Sequence, residues 1–478
     1  MMLLVLFILQ FLRCSRAGEF FVYPSLLQER DAAFDLVVHI NDKITLNLEK
    51  SSVLADELQF VTTSDVGDDD HLELVDTSAI QKTLYHDARH QSSIRVRQQG
   101  RLVEVEGVIN SKLRIKPVPE GERSSHGQLL HKVYEVHESQ NGSVLTKDMV
   151  LQHLRNEDSE EEDHEDFEAQ HRVDERNLNG KLFTVELHVI SDKVHQGSFT
   201  KNEELIAYTA VMANAVNLRY LEMRHPRVQF KLIGITRNRD DSFVRGSQGT
   251  IQSDPTLDGL GDYYRNGRVP GDPDLVYLLT GRDMVRTVGG RLDKSITGLA
   301  FLGQVCRSGR VGQGEDTATS YSGVRTMAHE LAHIMGAPHD ETPKCPWKLG
   351  YLMSYIDGGE RQYRLSSCSE ERIRGALVNL PDRCFDEQSQ VNYMSRYRRY
   401  PGQTVRPEHF CRMIAKVSKK NVRVIPEKPP HLSTRCKMNC CKIVPSFGRS
   451  CLQVPIPEGM ECMKGQTCRK GKCGKHKW

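Results

Sequence analysis

The chain has 478 residues, with 65 Lys and Arg against 63 Asp and Glu, for a formal net charge of +2. That length exceeds what one ordinary core fills and predicts two to four folded units. The near-neutral balance gives no reason to expect a nucleic-acid partner.

Residues 1–17, MMLLVLFILQFLRCSRA, hold an apolar run of about twelve residues followed by small residues near Ala17. The run is too short to span a bilayer and predicts a signal peptide cut after Ala17, although its charges, Arg13 and Arg16, follow it. No later stretch approaches ~18 continuous apolar residues, so no membrane span is expected and the product is expected to be secreted and extracellular. Of 13 cysteines, Cys14 would leave with the signal peptide, and the rest lie at or beyond Cys306. An even set in a secreted chain suggests disulfides, with pairing open. Asn141-Gly142-Ser143 is a glycosylation sequon.

Region 18–176 mixes strand-like runs with acidic blocks. LVEVEGVINSKLRIKPV at 102–118 reads as a β hairpin, and SDVGDDD at 64–70 and EDSEEEDHED at 157–166 read as solvated charge runs, the second a linker. The texture then changes. LFTVELHVI (182–190), VQFKLIGI (228–235), DLVYLLT (274–280) and GLAFLGQVC (298–306) read as strands. The segment 203–223 carries Leu205, Tyr208, Met212 and Val216 at helical spacing. Strands alternating with helices predict an α/β layer around a largely parallel sheet. The Gly- and Asp-rich segment 239–273 reads as a long surface loop. Beyond about residue 388 periodicity fades and Cys, Lys, Arg and Pro rise.

The stretch AHELAHIMGAPHD at 328–340 carries the chemistry. SGVRTMAHELAHIM predicts a helix with His329 and His333 one turn apart on one face. Two imidazoles so placed can share a metal ion. Glu330 stands beside the first, where it can reach a water on that ion. Gly336 predicts the helix end, because glycine readily takes the left-handed conformation of a C-terminal cap. The chain then turns back with His339. Three neutral imidazoles make an open zinc site with a fourth position for water, whose proton Glu330 takes as general base.

The extended pattern HExxHxxGxxHD resembles the reprolysin, or adamalysin, branch of the metzincin metalloproteases, with YLMSY, YRLSSCSEE and NLPDRCF continuing the likeness over about 182–388. The resemblance implies an α/β metzincin catalytic domain with a mixed, mostly parallel sheet and an active-site helix, preceded by a β-rich pro-region and followed by a small disulfide-rich domain. The expected division is signal peptide 1–17, pro-region 18–176, zinc metalloprotease domain 177–388 and basic disintegrin-like or cysteine-rich domain 389–478. It also implies structural roles for Asp340 and for Met353 in a methionine turn, and the bridges Cys306–Cys384 and Cys345–Cys368. The strand GLAFLGQ would line the cleft and pair with an extended substrate. A structural calcium would be held by Glu186, Asp274 and Asp386 or Glu387.

PGQTVRPEHFCR, CKMNCC and PEGMECMKGQTCRKGKCG resemble the disintegrin-like and cysteine-rich segments of thrombospondin-motif ADAM proteases. The chain as a whole resembles the compact salivary metalloproteases of ticks. Its basic tail suggests an anionic glycan or cell surface as partner. The implied function is a secreted zinc endopeptidase acting on extracellular matrix or plasma proteins such as fibrin(ogen). The alternative is a non-catalytic binding protein acting through that tail. Residues 18–305 hold no cysteine, so a pro-region thiolate cannot cap the zinc. A carboxylate, a histidine or a purely chaperoning role is expected instead. The junction HRVDERNLNGK offers no clear dibasic cut site.

Overall fold

The computed structural model describes residues 18–27, 36–64, 70–100, 102–136, 182–247, 249–387, 406–415, 422–444, 448–457, 459–469 and 471–476. The signal-peptide run, the Asn141 sequon, the acidic run 157–166 and the HRVDERNLNGK junction lie outside them. The chain divides into two units, 1–389 and 390–478.

The first unit is organised by a seven-stranded sheet. Its strands are β1 (Leu54–Thr62), β2 (His71–Asp76), β3 (Leu182–Ser191), β4 (Arg227–Arg237), β5 (Leu275–Thr280), β6 (Gly298–Ala300) and β7 (Val311–Glu315), in the order β6-β7-β5-β3-β4-β1-β2. The five inner strands run parallel, and β6 and β2 close the two edges antiparallel. β5 reads LVYLLT and is buried at every position. Such an unbroken apolar run suits a parallel strand covered on both faces.

Helix α1 (Asn202–Tyr220) buries Leu205, Tyr208, Met212 and Val216, and most of its other side chains as well. A helix buried all round needs partners on both sides. One side packs on β4, and the other meets the strands Leu84–Asp87, Ser92–Gln99 and Leu102–Val108. These three belong to a nine-stranded antiparallel sheet formed by amino-terminal residues 19–135. It includes the hairpin Leu102–Val108 with Leu113–Pro117.

Three readings change. The segment 298–306 is strand only at Gly298–Ala300. Beyond it the Gly303 and Val305 N–H groups bond to the His333 and Ile334 carbonyls, so the backbone turns to close a helix end instead of extending the sheet. The expected loop 239–273 contains helix α2 (Ser253–Arg265), which buries Leu257, Leu260 and Tyr263 in a stripe too narrow to stand out. β7, reading VGQGE, was not anticipated at all.

The second unit has two small sheets, Arg423–Glu427/Lys437–Val444/Gly448–Pro455 and Glu461–Met463/Gln466–Arg469/Lys472–Gly474. Four bridges hold it: Cys411–Cys440, Cys436–Cys468, Cys441–Cys451 and Cys462–Cys473. Its core is largely these cysteines with Val424, Met438, Ile456 and Met460. Disulfides stabilise a unit with this little apolar mass. In the first unit Cys306 joins Cys384 and Cys345 joins Cys368. No described helix is long and apolar enough to cross a membrane.

Candidate active site

Helix α3 (Val324–Ile334) begins where the Gly323 N–H donates to Asp316 Oδ1 at 2.8 Å. It ends at Gly336, whose φ of 110° favours glycine. There the Gly336 and Ala337 N–H groups bond to the His333 and Ala332 carbonyls, a Schellman closure that reverses the chain. His329 and His333 project from one face of α3, and the reversed chain returns with His339. The Nε2 atom of His339 lies 3.1 Å from that of His329 and 3.2 Å from that of His333.

The other ring nitrogens fix the tautomers. His329 Nδ1 meets the Leu352 carbonyl and His333 Nδ1 the Ala337 carbonyl, both at 2.7 Å. His339 Nδ1 lies 2.8 Å from the Tyr355 hydroxyl, which donates to Glu341 Oε1 at 2.5 Å. Burial holds His329 well below the usual imidazole range, His333 down at about 3 and His339 at about 4. At neutral pH the three rings are therefore uncharged, with Nδ1 protonated and Nε2 lone pairs facing one another. Converging lone pairs repel unless a cation lies between them. Zinc–nitrogen bonds of about 2.0–2.1 Å in a tetrahedron place ligand nitrogens about 3.3 Å apart. The observed spacing fits, and an all-imidazole set suits zinc over calcium, which takes oxygen ligands.

Glu330 is fully buried beside this cluster. A Cβ on Gly298 would overlap its Oε1, so the bare backbone of β6 makes the space that the carboxylate fills. Met353 is also fully buried, and its carbonyl accepts the Asp340 N–H at 3.0 Å. Asp340 Oδ1 accepts Ser366 Oγ at 2.6 Å and Ser369 Oγ at 3.0 Å. Ser366 caps helix α4 (Ser367–Val378), so Asp340 ties the turn after His339 to that helix. Burial raises the Asp340 carboxyl against these two hydrogen bonds.

Residues 181–366 match the model of metallo-peptidase family M12, reprolysin type. This segment is a reprolysin-type M12 metallopeptidase domain. Similar proteins include an antarease-like venom metalloproteinase of Tityus trivittatus, 25% identical over 66% of this chain and 82% of its own. Another is a venom metalloproteinase of Olivierus martensii, 24% identical over 75% of this chain and 89% of its own. A third is a protein of Bombyx mori described as like a disintegrin and metalloproteinase with thrombospondin motifs. It is 27% identical over 59% of this chain and 42% of its own. The solved metalloproteinase-II of Bacteroides fragilis aligns over 78% of this chain and 94% of its own. Its TM-score of 0.37 and 11% identity are too low to bear on the fold. The chain carries a zinc metalloendopeptidase.

Of the expected calcium residues, the structure brings Glu186 and Asp274 together but not Asp386. Glu186 and Asp274 are neighbours, with the Glu186 N–H donating to Asp274 Oδ2 at 2.9 Å. Asp274 Oδ1 lies 3.1 Å from Cys306 Sγ, and burial pushes its carboxyl up to about 8. Glu387 instead accepts from Thr184 Oγ1 and pairs with Lys231. Among the described residues, no acidic group containing Glu186, Asp274 and Asp386 has ligand atoms within 4.8 Å of one another.

Several residues of the domain escaped sequence reasoning. Tyr355, two positions after Met353, was available in YLMSY but carried no signal of contact with His339. Glu341 and Gly298 gave none. Asp316 lies in a buried cluster described below.

Proposed function

We propose that His329, His333 and His339 hold the zinc of a secreted endopeptidase and that Glu330 is its general base. The convergence of three Nε2 atoms beside a buried carboxylate carries this reading. When bound, zinc supplies Lewis-acid polarisation of the scissile carbonyl and lowers the pKa of a water. Glu330 accepts a proton from the attacking water and passes it to the amine nitrogen as the carbon–nitrogen bond breaks. Tyr355 and the Leu352 and Ala337 carbonyls keep the imidazole protons on Nδ1. β6 ends the sheet, and its free edge offers backbone groups to an extended peptide.

The substrates on this reading are extracellular matrix or plasma proteins such as fibrin(ogen). Region 18–176 is a pro-region that restrains the enzyme without a thiolate, and among the described residues no pro-region carboxylate or histidine joins the three imidazoles. The basic tail holds the enzyme on anionic glycans. Digestion of fibrinogen and gelatin with and without a chelator tests the function. The reading expects fragments that vanish on chelation and return with zinc. Intact substrates with zinc-loaded, processed protein would leave only a binding role. A chain ending at Phe385 should still cut a small peptide but lose salt-sensitive retention on heparin. Equal retention would remove the glycan role.

A further inference from the structure

We infer that the pro-region core, residues 18–136, stays bound as a non-covalent subunit of the active enzyme after the connecting segment 137–181 is cut. The inference rests on the reading of 18–176 as a pro-region.

Four observations carry it. First, the pro-region supplies two strands of the catalytic sheet. β1 lies parallel to β4, with Leu54 opposite Leu232 and Gln59 to Thr62 opposite Gly234 to Arg237. The Leu232 N–H bonds to the Val53 carbonyl at 2.7 Å, and the Thr63 N–H to the Arg237 carbonyl at 3.2 Å. Removing β1 would leave the long parallel edge of β4 unpaired.

Second, the two regions share one core. Val53, Leu54, Leu58, Phe60, Ile80 and Leu84 lie in the same apolar cluster as Leu187, Val211, Met327 and Leu331. Separation would expose to water the faces of this cluster that meet across the joint.

Third, buried polar contacts lock the joint. Ser93 Oγ donates to the Val211 carbonyl of α1 at 2.8 Å and accepts from Asn214 Nδ2 at 3.0 Å. Arg114, 1% exposed, donates through Nη2 to the Tyr321 carbonyl at 3.1 Å. The Tyr134 hydroxyl donates to the Thr319 carbonyl at 3.1 Å. Thr319 and Tyr321 have φ of 68° and 57°, a left-handed backbone that a β-branched or bulky residue adopts only at a cost. They sit in the loop that leads into α3. The pro-region thus braces the entry to the helix bearing His329, Glu330 and His333.

Fourth, the strand pairing lies at the edge of the sheet opposite β6, and the contacts of Arg114 and Tyr134 reach only the loop that precedes α3. The sheet order places β1 five strand spacings from β6, about 24 Å at ~4.8 Å per spacing. The β1–β4 pairing therefore does not cover the β6 edge.

The test uses the full secreted chain with a recognition site for a specific protease inserted between 137 and 176 and an affinity tag ahead of residue 18. After complete cutting, both fragments should elute together in gel filtration at physiological and at 1 M salt. The catalytic fragment should remain on the tag resin. The fragments should part only at denaturant concentrations that also abolish peptidase activity. Recovery of a catalytic fragment that is free of the pro-region, monomeric and fully active would overturn the inference. An aggregated, inactive catalytic fragment after forced separation supports it. If cutting leaves the peptidase rate unchanged, the latency reading fails, and co-elution still decides retention.

Discussion

The first unit holds two buried sites, one built on a single histidine and one on three, that differ in what their ring nitrogens meet. In one, His195 Nδ1 lies 2.6 Å from Ser191 Oγ and Nε2 lies 2.8 Å from Asp316 Oδ2, so both ring nitrogens find partners inside the fold. Asp316 also accepts from the Tyr208 hydroxyl at 2.6 Å and from the N–H that opens α3. In the other, His329, His333 and His339 satisfy Nδ1 within the protein and turn Nε2 toward one another. The first cluster is a strut whose polar groups close on themselves. The second turns three ring nitrogens to a common point, as a bound cation requires. A Ser–His–Asp trio thus does no chemistry here, because it has neither exposure nor an open valence.

Substitutions can break or sharpen that contrast. Glu330→Ala should lower peptide cleavage by at least ~10², a typical general-base contribution, while zinc content stays at about one per chain. Parental activity in that variant would remove Glu330 from the reaction. His195→Ala should act on the fold instead. Leaving the buried hydrogen-bond partners of His195 unsatisfied costs about 1–3 kcal/mol. Urea unfolding should shift accordingly, with zinc still bound by the folded fraction. If the variant instead loses zinc at unchanged stability, the strut assignment is wrong. Tyr355→Phe should be milder: outer-shell partners of a ligand are worth about 10–100-fold in metal affinity. Competition with a chromophoric chelator should show weaker zinc and a nearly constant melting temperature. An unaltered zinc affinity would make the Tyr355 contact incidental.

Much of the active site could be read from the sequence because its signal is local. The residues of HELAHIMGAPHD lie within one helix and one turn, so spacing alone places His329 and His333 together and Gly336 at the reversal. The remainder depends on contacts between distant segments. β7 was hidden because VGQGE carries two glycines, and Gly314 is there because Tyr277 and Thr326 crowd the position a side chain would take. α2 was hidden by a three-residue apolar stripe within a Gly- and Asp-rich stretch. Matching carboxylates by kind paired Glu186 with Asp274 but says nothing of burial, and Asp274 is enclosed with Cys306. Nothing in LADELQFVT indicates that β1 pairs with β4, since a parallel partner far along the chain leaves no local mark.

The most direct test measures zinc and activity on one sample. Metal content of the purified, processed protein is determined by mass spectrometry, and peptide cleavage is followed through chelation and stepwise zinc return, beside His333→Ala. The account predicts about one zinc per chain, cleavage that falls with its removal and recovers in proportion to zinc rebound, and an empty, inactive variant. Full cleavage by zinc-free protein, or equal zinc in His333→Ala, would contradict it.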